Sequence, residues 1–130
     1  MRLNLGLALK ILALFFWWYI VVFLLSVAPL LEVQLPSAFI PEFRGAEYAW
    51  DFELMFTLIF AVWGYYLWVA SRAPEQHSFF INFTIVATFA HILGMLLVGF
   101  VKEGDLWHML KDAVALSVPT VLVLYLKLRH

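Results

Sequence analysis

The polar positions of this chain fall into short clusters, and between them run four apolar blocks almost free of charge, at about 8–31, 51–70, 78–101 and 106–127. A bilayer core about 30 Å thick takes roughly 20 residues of helix at 1.5 Å rise, so each block is long enough to cross it. The stretches between the blocks carry helix breakers. Ala73-Pro74-Glu75-Gln76 interrupts the pattern after Arg72, and Lys102-Glu103-Gly104-Asp105 does so before the fourth block. The longer connection, residues 32–50, mixes Pro36, Pro41 and Gly45 with Phe39, Ile40, Phe43, Tyr48 and Trp50, which predicts a loop lying along the membrane interface. Short turns make antiparallel neighbours. The pattern therefore predicts an all-α, polytopic membrane protein, with one domain over residues 1–130 folded as an antiparallel four-helix transmembrane bundle.

Composition agrees with lipid as the solvent. The chain is 65% hydrophobic, 18% aromatic and only 13% charged, with a mean hydropathy of +0.95, well outside the range of soluble domains. A net charge of −1 with scattered Lys and Arg excludes a nucleic-acid partner. The absence of Cys excludes disulfides, thiolate nucleophiles and Cys-ligated metal centres. The serines sit in no nucleophile elbow, which removes the hydrolases built on one. Arg2, Lys10 and the following apolar run have the outline of a secretory signal with a weak site at Ser26-Val27-Ala28. The run is longer than a usual signal core and carries the bulky Trp17-Trp18 pair, so it reads as a retained helix.

Basic residues set the expected orientation. Arg2, Lys10, Arg72, Lys127 and Arg129 lie near span ends on the side of the termini, against Arg44, Lys102 and Lys111 on the other, which predicts a multi-pass protein of the cell membrane with both termini in the cytoplasm. The acids are more lopsided. Glu75 alone joins the termini; Glu32, Glu42, Glu47, Asp51, Glu53, Glu103, Asp105 and Asp112 gather at the opposite end.

Ionisable groups inside a span are costly, about 3 kcal/mol each near mid-helix, so Glu53, His91, His108 and Asp112 are the candidate functional residues. Antiparallel spans bring all four to the non-cytoplasmic end. By helical rise His91 lies on the order of 15 Å inside its span and Asp112 on the order of 9 Å. Asp105, His108, Asp112, Ala115 and Pro119 follow steps of three and four on the fourth span, Glu53, Thr57 and Gly64 share a stripe on the second, and Thr84, Thr88, His91 and Met95 share one on the third beside Gly94. Small and hydroxyl residues of this kind suit a protein-facing surface in lipid. Pro119 frees the carbonyl of Ala115, which either kinks the fourth span or adjusts its packing. Structural readings stand beside the functional ones. Glu53 and His108 fit solvated boundary positions, and His91 fits a neutral imidazole satisfied by Thr88 or a backbone carbonyl. Asp112 has to be protonated, paired with a histidine or Lys111, or bound to a cation.

From Glu47 to about Val121 the chain resembles an uncharacterised family, a domain of unknown function, of short bacterial four-helix integral membrane proteins. The resemblance is carried by Glu47-Tyr48 before Met55, Gly64-Tyr65, Ala70-Ser71-Arg72-Ala73-Pro74 leading to His77, Phe83-Thr84, His91, Met95, His108 and Asp112. It implies the four-helix fold and the choice of residues, adds weight to His77, and names no activity.

Several functions fit these residues. His91, His108 and Asp112, with Glu53 as a fourth ligand, suit a divalent metal such as zinc, iron or manganese. A lipid-soluble ligand at the same polar end is the companion reading. His91 and Asp112 as acid and base would make a small membrane isomerase, by loose analogy with the emopamil-binding type. Haem between His91 and His108 is a further option, their unequal depths weighing against it, and the His-x-x-x-Asp step resembles one in succinate dehydrogenase anchor subunits. The contrasting class is an accessory or structural subunit of a larger membrane complex, or a homo-oligomer, whose polar cluster only locks the helices in register.

Overall fold

The computed structural model describes residues 4–27, 50–101 and 106–129, and every long element in them is helical. The helices are α1 (Leu5–Val27), α2 (Trp50–Ala70), α3 (Ser78–Val101) and α4 (Leu106–Leu128), with a 3-10 turn at Pro74–His77 between α2 and α3. All four are long and apolar enough to cross a membrane. Three of them match the expected spans to within a residue. α1 starts three residues earlier than expected, and positions 28–31 of the first predicted span lie outside the described residues. So do most of the 32–50 loop and the Lys102–Asp105 turn.

The early start of α1 has a local cause. Asn4 is its N-cap: the side-chain oxygen accepts a hydrogen bond from the amide of Leu7 at 2.9 Å, an amide that the first turn leaves open, and its carbonyl accepts the first intrahelical bond, from Ala8 at 3.1 Å. Asn4→Ala is expected to cost about 1 kcal/mol and to fray that turn. Faster hydrogen exchange at Leu7 with unchanged exchange in α3 is the check.

Small residues set how the helices meet. Gly6 packs so close to Ser71 that a Cβ there would stand 2.5 Å from its carbonyl oxygen, and Gly64 lies beneath Trp17 and the backbone of Ala13. Close backbone approach of this kind suits helices that associate in lipid, where little is gained from expelling water. Trp17 fastens the α1–α2 pair, donating its indole N–H to the carbonyl of Ala61 at 3.1 Å and stacking on Trp68. α3 and α4 form the second extensive pair, α1 meets α4 less extensively, and α2 and α3 approach each other at only a few positions. In the α3–α4 pair Gly99 faces Leu106 and Met109, and Lys127 Nζ donates to Asn82 Oδ1 and to the carbonyl of Ser78. The seam between α2 and α3 is held by side chains: Trp63 Nε1 donates to Thr84 Oγ1 at 2.9 Å, and Trp63 stacks on Phe83.

The buried positions recur at helical spacing, Ala8, Leu12 and Phe16 on α1 and Ile81, Ile85, Thr88 and Ile92 on α3 among them. The outer faces are just as apolar, with Leu14, Trp18, Leu58, Val62, Leu93, Leu97, Val114 and Val118 exposed. α4 runs unbroken through Pro119. Its buried face carries Ala113, Leu116, Thr120 and Val123, with Ser117 and Thr120 donating to the carbonyls of Ala113 and Leu116.

Candidate functional site

On α3 the expected stripe is present: Thr84 and Thr88 are buried, and His91 and Met95 half-buried. α2 faces it with Phe56, Phe60 and Trp63, which steps of four and three place on one side of the helix. Because α2 and α3 approach closely at only a few positions, the space between them stays open as a cleft of about 280 Å³. Its floor is made by Phe16 of α1 and Leu116 of α4, both almost completely buried, and its walls include Phe56, Phe60, Trp63, Phe83, Ala87, Thr88 and His91. All four helices thus contribute to one apolar recess. The His91 ring meets Phe60 edge to face at 5.9 Å and Phe56 at 6.4 Å, while Phe16 packs against Phe60 at 5.1 Å and Trp63 at 5.4 Å.

Two polar groups line this recess, and they differ in state from their neighbours. Thr84 is already engaged by Trp63, and Thr120 and Ser117 donate back along their own helix. Thr88 does neither. Its side-chain oxygen is buried and has no hydrogen-bond partner among the described residues, in a residue only 2% exposed. A buried hydroxyl left unsatisfied costs about 1–3 kcal/mol. His91, one turn further along the same face, brings ring nitrogens that both donate and accept.

The other expected members of the cluster lie elsewhere. Of the expected stripe on α4, Asp112 and Ala115 are exposed and Pro119 is buried, while the neighbouring face beginning at Ala113 is buried at Ala113, Leu116 and Thr120. Asp112 is absent from the lining of the cleft and lies instead within electrostatic reach of Tyr19 on α1. Glu53 is half-buried at the start of α2, above the buried Thr57 and Gly64 of its stripe, and both acids have interactions of their own. The His108 side chain lies outside the described residues. At Gly94, among the described residues, nothing lies within 4 Å of where its Cβ would be. Among the described residues no group of three or more His, Asp or Glu side chains is placed to hold a metal ion. The divalent-metal expectation therefore has no support in this geometry. The reason is steric: α4 turns its small Ala113 inward, and Asp112, about 100° away, follows the outer surface.

Comparison with family models, curated proteins and solved structures finds no match. The site rests on its own geometry. What the sequence reading missed is the aromatic enclosure, although the Phe56, Phe60 and Trp63 spacing marked one face of α2. His77, half-buried in the 3-10 turn, is far along α3 from the recess.

Proposed function

We propose that this chain is a polytopic membrane protein, an antiparallel bundle with both termini on the cytoplasmic side, that binds a lipid-soluble ligand in the cleft between α2 and α3. The observation that carries this reading is the recess itself, drawn from all four helices and lined mainly by apolar side chains, with the half-buried His91 in its wall. A ligand pocket has this make-up, an apolar wall with a few convergent polar groups. The antiparallel arrangement is supported by partner numbers that fall along one helix as they rise along the next: Ala13 and Trp17 against Gly64 and Ala61, Trp63 and Phe60 against Phe83 and His91, Ser78 and Gly99 against Lys127 and Met109. Insertion in a bilayer is supported by apolar outer faces on four helices of 21–24 residues. An isomerase using His91 and Asp112 together would need both carboxylate and imidazole in the recess, and only His91 lines it.

Filling the recess tests the proposal. Protein purified gently from native membranes is expected to carry an enriched lipid-soluble compound, detected by mass spectrometry of the solvent extract. Ala87→Phe, which places a ring in the cleft, should remove it, and Gly94→Ala, in open space outside, should retain it. Equal amounts of every extracted compound in parent and Ala87→Phe would sink the idea.

A further inference from the structure

The four helices form two tight pairs, and the seam between the pairs is built differently from the contacts within them. In α1–α2 and in α3–α4 a glycine lets one helix lie close against the other: a Cβ on Gly64 would stand 2.7 Å from Trp17, and one on Gly99 would stand 3.0 Å from Met109 and 3.3 Å from Leu106. Each pair also carries hydrogen bonds, Trp17 to Ala61 in the first and Lys127 to Asn82 and Ser78 in the second. Between the pairs, α2 and α3 approach at only a few positions, and α1 meets α4 more extensively. The α2–α3 side is bridged by rings, Trp63 stacking on Phe83 and His91 lying against Phe56 and Phe60.

Such a division sets how the molecule can move. Closely packed elements travel as bodies, and opening falls where few contacts have to break. The turn at Pro74–His77 joins α2 to α3 at one end of the seam, which leaves the other end, where Phe56 meets His91, to part. In the bilayer setting proposed above, drawing apolar walls apart exchanges side-chain contacts for lipid contacts at little cost. A hydrogen bond is harder to give up there, because hydrocarbon offers no replacement. One crosses this seam: Trp63 Nε1 donates to Thr84 Oγ1 at 2.9 Å, at a threonine that is fully buried. A freed Thr84 hydroxyl can turn back to a carbonyl of its own helix, as those of Ser117 and Thr120 do; a freed indole has no such recourse. We propose that the α1–α2 and α3–α4 pairs open and close about the α1–α4 contact, with the Trp63–Thr84 hydrogen bond as the latch that holds the α2–α3 side shut. As a gate to the cleft the latch rests on the ligand-binding reading; as a motion of two helix pairs it does not.

The chain has no cysteine, so nitroxide labels attach only at introduced positions, and pulsed electron paramagnetic resonance of the full chain in lipid nanodiscs, with no ligand added, reads the distances. Leu58→Cys with Leu93→Cys spans the seam, while Leu14→Cys with Leu58→Cys and Leu93→Cys with Val114→Cys report the two pairs, all at exposed positions. The seam is expected to show a dominant shorter distance and a minor longer one, and each pair a single distance. Thr84→Val, which keeps the shape and removes the acceptor, should raise the ratio of longer to shorter by about two- to tenfold and leave both pair distances unchanged. Thr84→Ser, which keeps the acceptor, should match the parent. A seam distribution unmoved by Thr84→Val would overturn the latch, as would Thr84→Ser behaving like Thr84→Val. Pair distances that spread together with the seam distance would overturn the two-body motion. None of these outcomes bears on the ligand-binding reading, which stands or falls on the extract from Ala87→Phe.

Discussion

Phe16→Ala is expected to destabilise the bundle by about 2–3 kcal/mol, the loss arising from packing alone. Phe16 is 1% exposed and sits where α1 meets the aromatic side of α2, its ring 5.1 Å from Phe60 and 5.4 Å from Trp63. Truncation removes about 100 Å³ of side chain, and at roughly 24 cal/mol per Å³ of unfilled cavity the penalty comes to about 2.4 kcal/mol. The same change in a water-soluble core costs roughly 3–5 kcal/mol, because burial there also removes the ring from water. For helices that separate within lipid, the ring stays in hydrocarbon and that contribution disappears. Unfolding in graded mixtures of mild detergent and SDS measures the difference. An unchanged midpoint would contradict the central position of the ring.

Gly64→Ala is the second large effect, of about 1–3 kcal/mol from overpacking. The added Cβ would stand 2.7 Å from Trp17 Nε1, 2.8 Å from its Cδ1 and 3.1 Å from the carbonyl oxygen of Ala13. The indole has little freedom to yield, since it is bonded to Ala61 and stacked on Trp68, and the Ala13 oxygen is backbone. The two helices have to separate. Gly94→Ala is the internal comparison: with nothing within 4 Å, it is expected to be neutral or to stabilise by a few tenths of a kcal/mol through helix propensity. The same detergent titration reads both, and a Gly94→Ala protein weaker than Gly64→Ala would reverse the assignment of the helix faces.

These two glycines show what the sequence could and could not reveal. The extent of α2, α3 and α4 was legible because Pro74 and the charged turns interrupt otherwise continuous apolar runs. The start of α1 was missed because Asn4, a good capping residue, lies outside the hydrophobic block used to mark the span. Facing was harder. In water an apolar residue points inward; where both the interior and the surroundings are apolar, Leu116 and Val118 look alike, and only one of them is buried. Polar character marks the interior at Thr57 and Thr88, which are buried, and not at Asp112, which is exposed. Size is the better guide in such a chain: Ala113, Gly64 and Gly99 lie at the contacts because they let backbones approach. Gly94 shows that a small residue alone does not decide. The candidate site was legible only through His91 and Thr88, since an enclosure drawn from four helices has no signature within any one of them.

The loose seam between α2 and α3 governs how a guest would be counted. In the bilayer setting proposed above, a molecule reaching His91 through that opening comes sideways from the surrounding lipid and never crosses bulk water. Occupancy then follows the guest's mole fraction in the bilayer rather than its aqueous concentration. Diluting the protein with empty lipid at a fixed amount of guest would drain the cleft, whereas diluting the same vesicles with buffer would leave it filled.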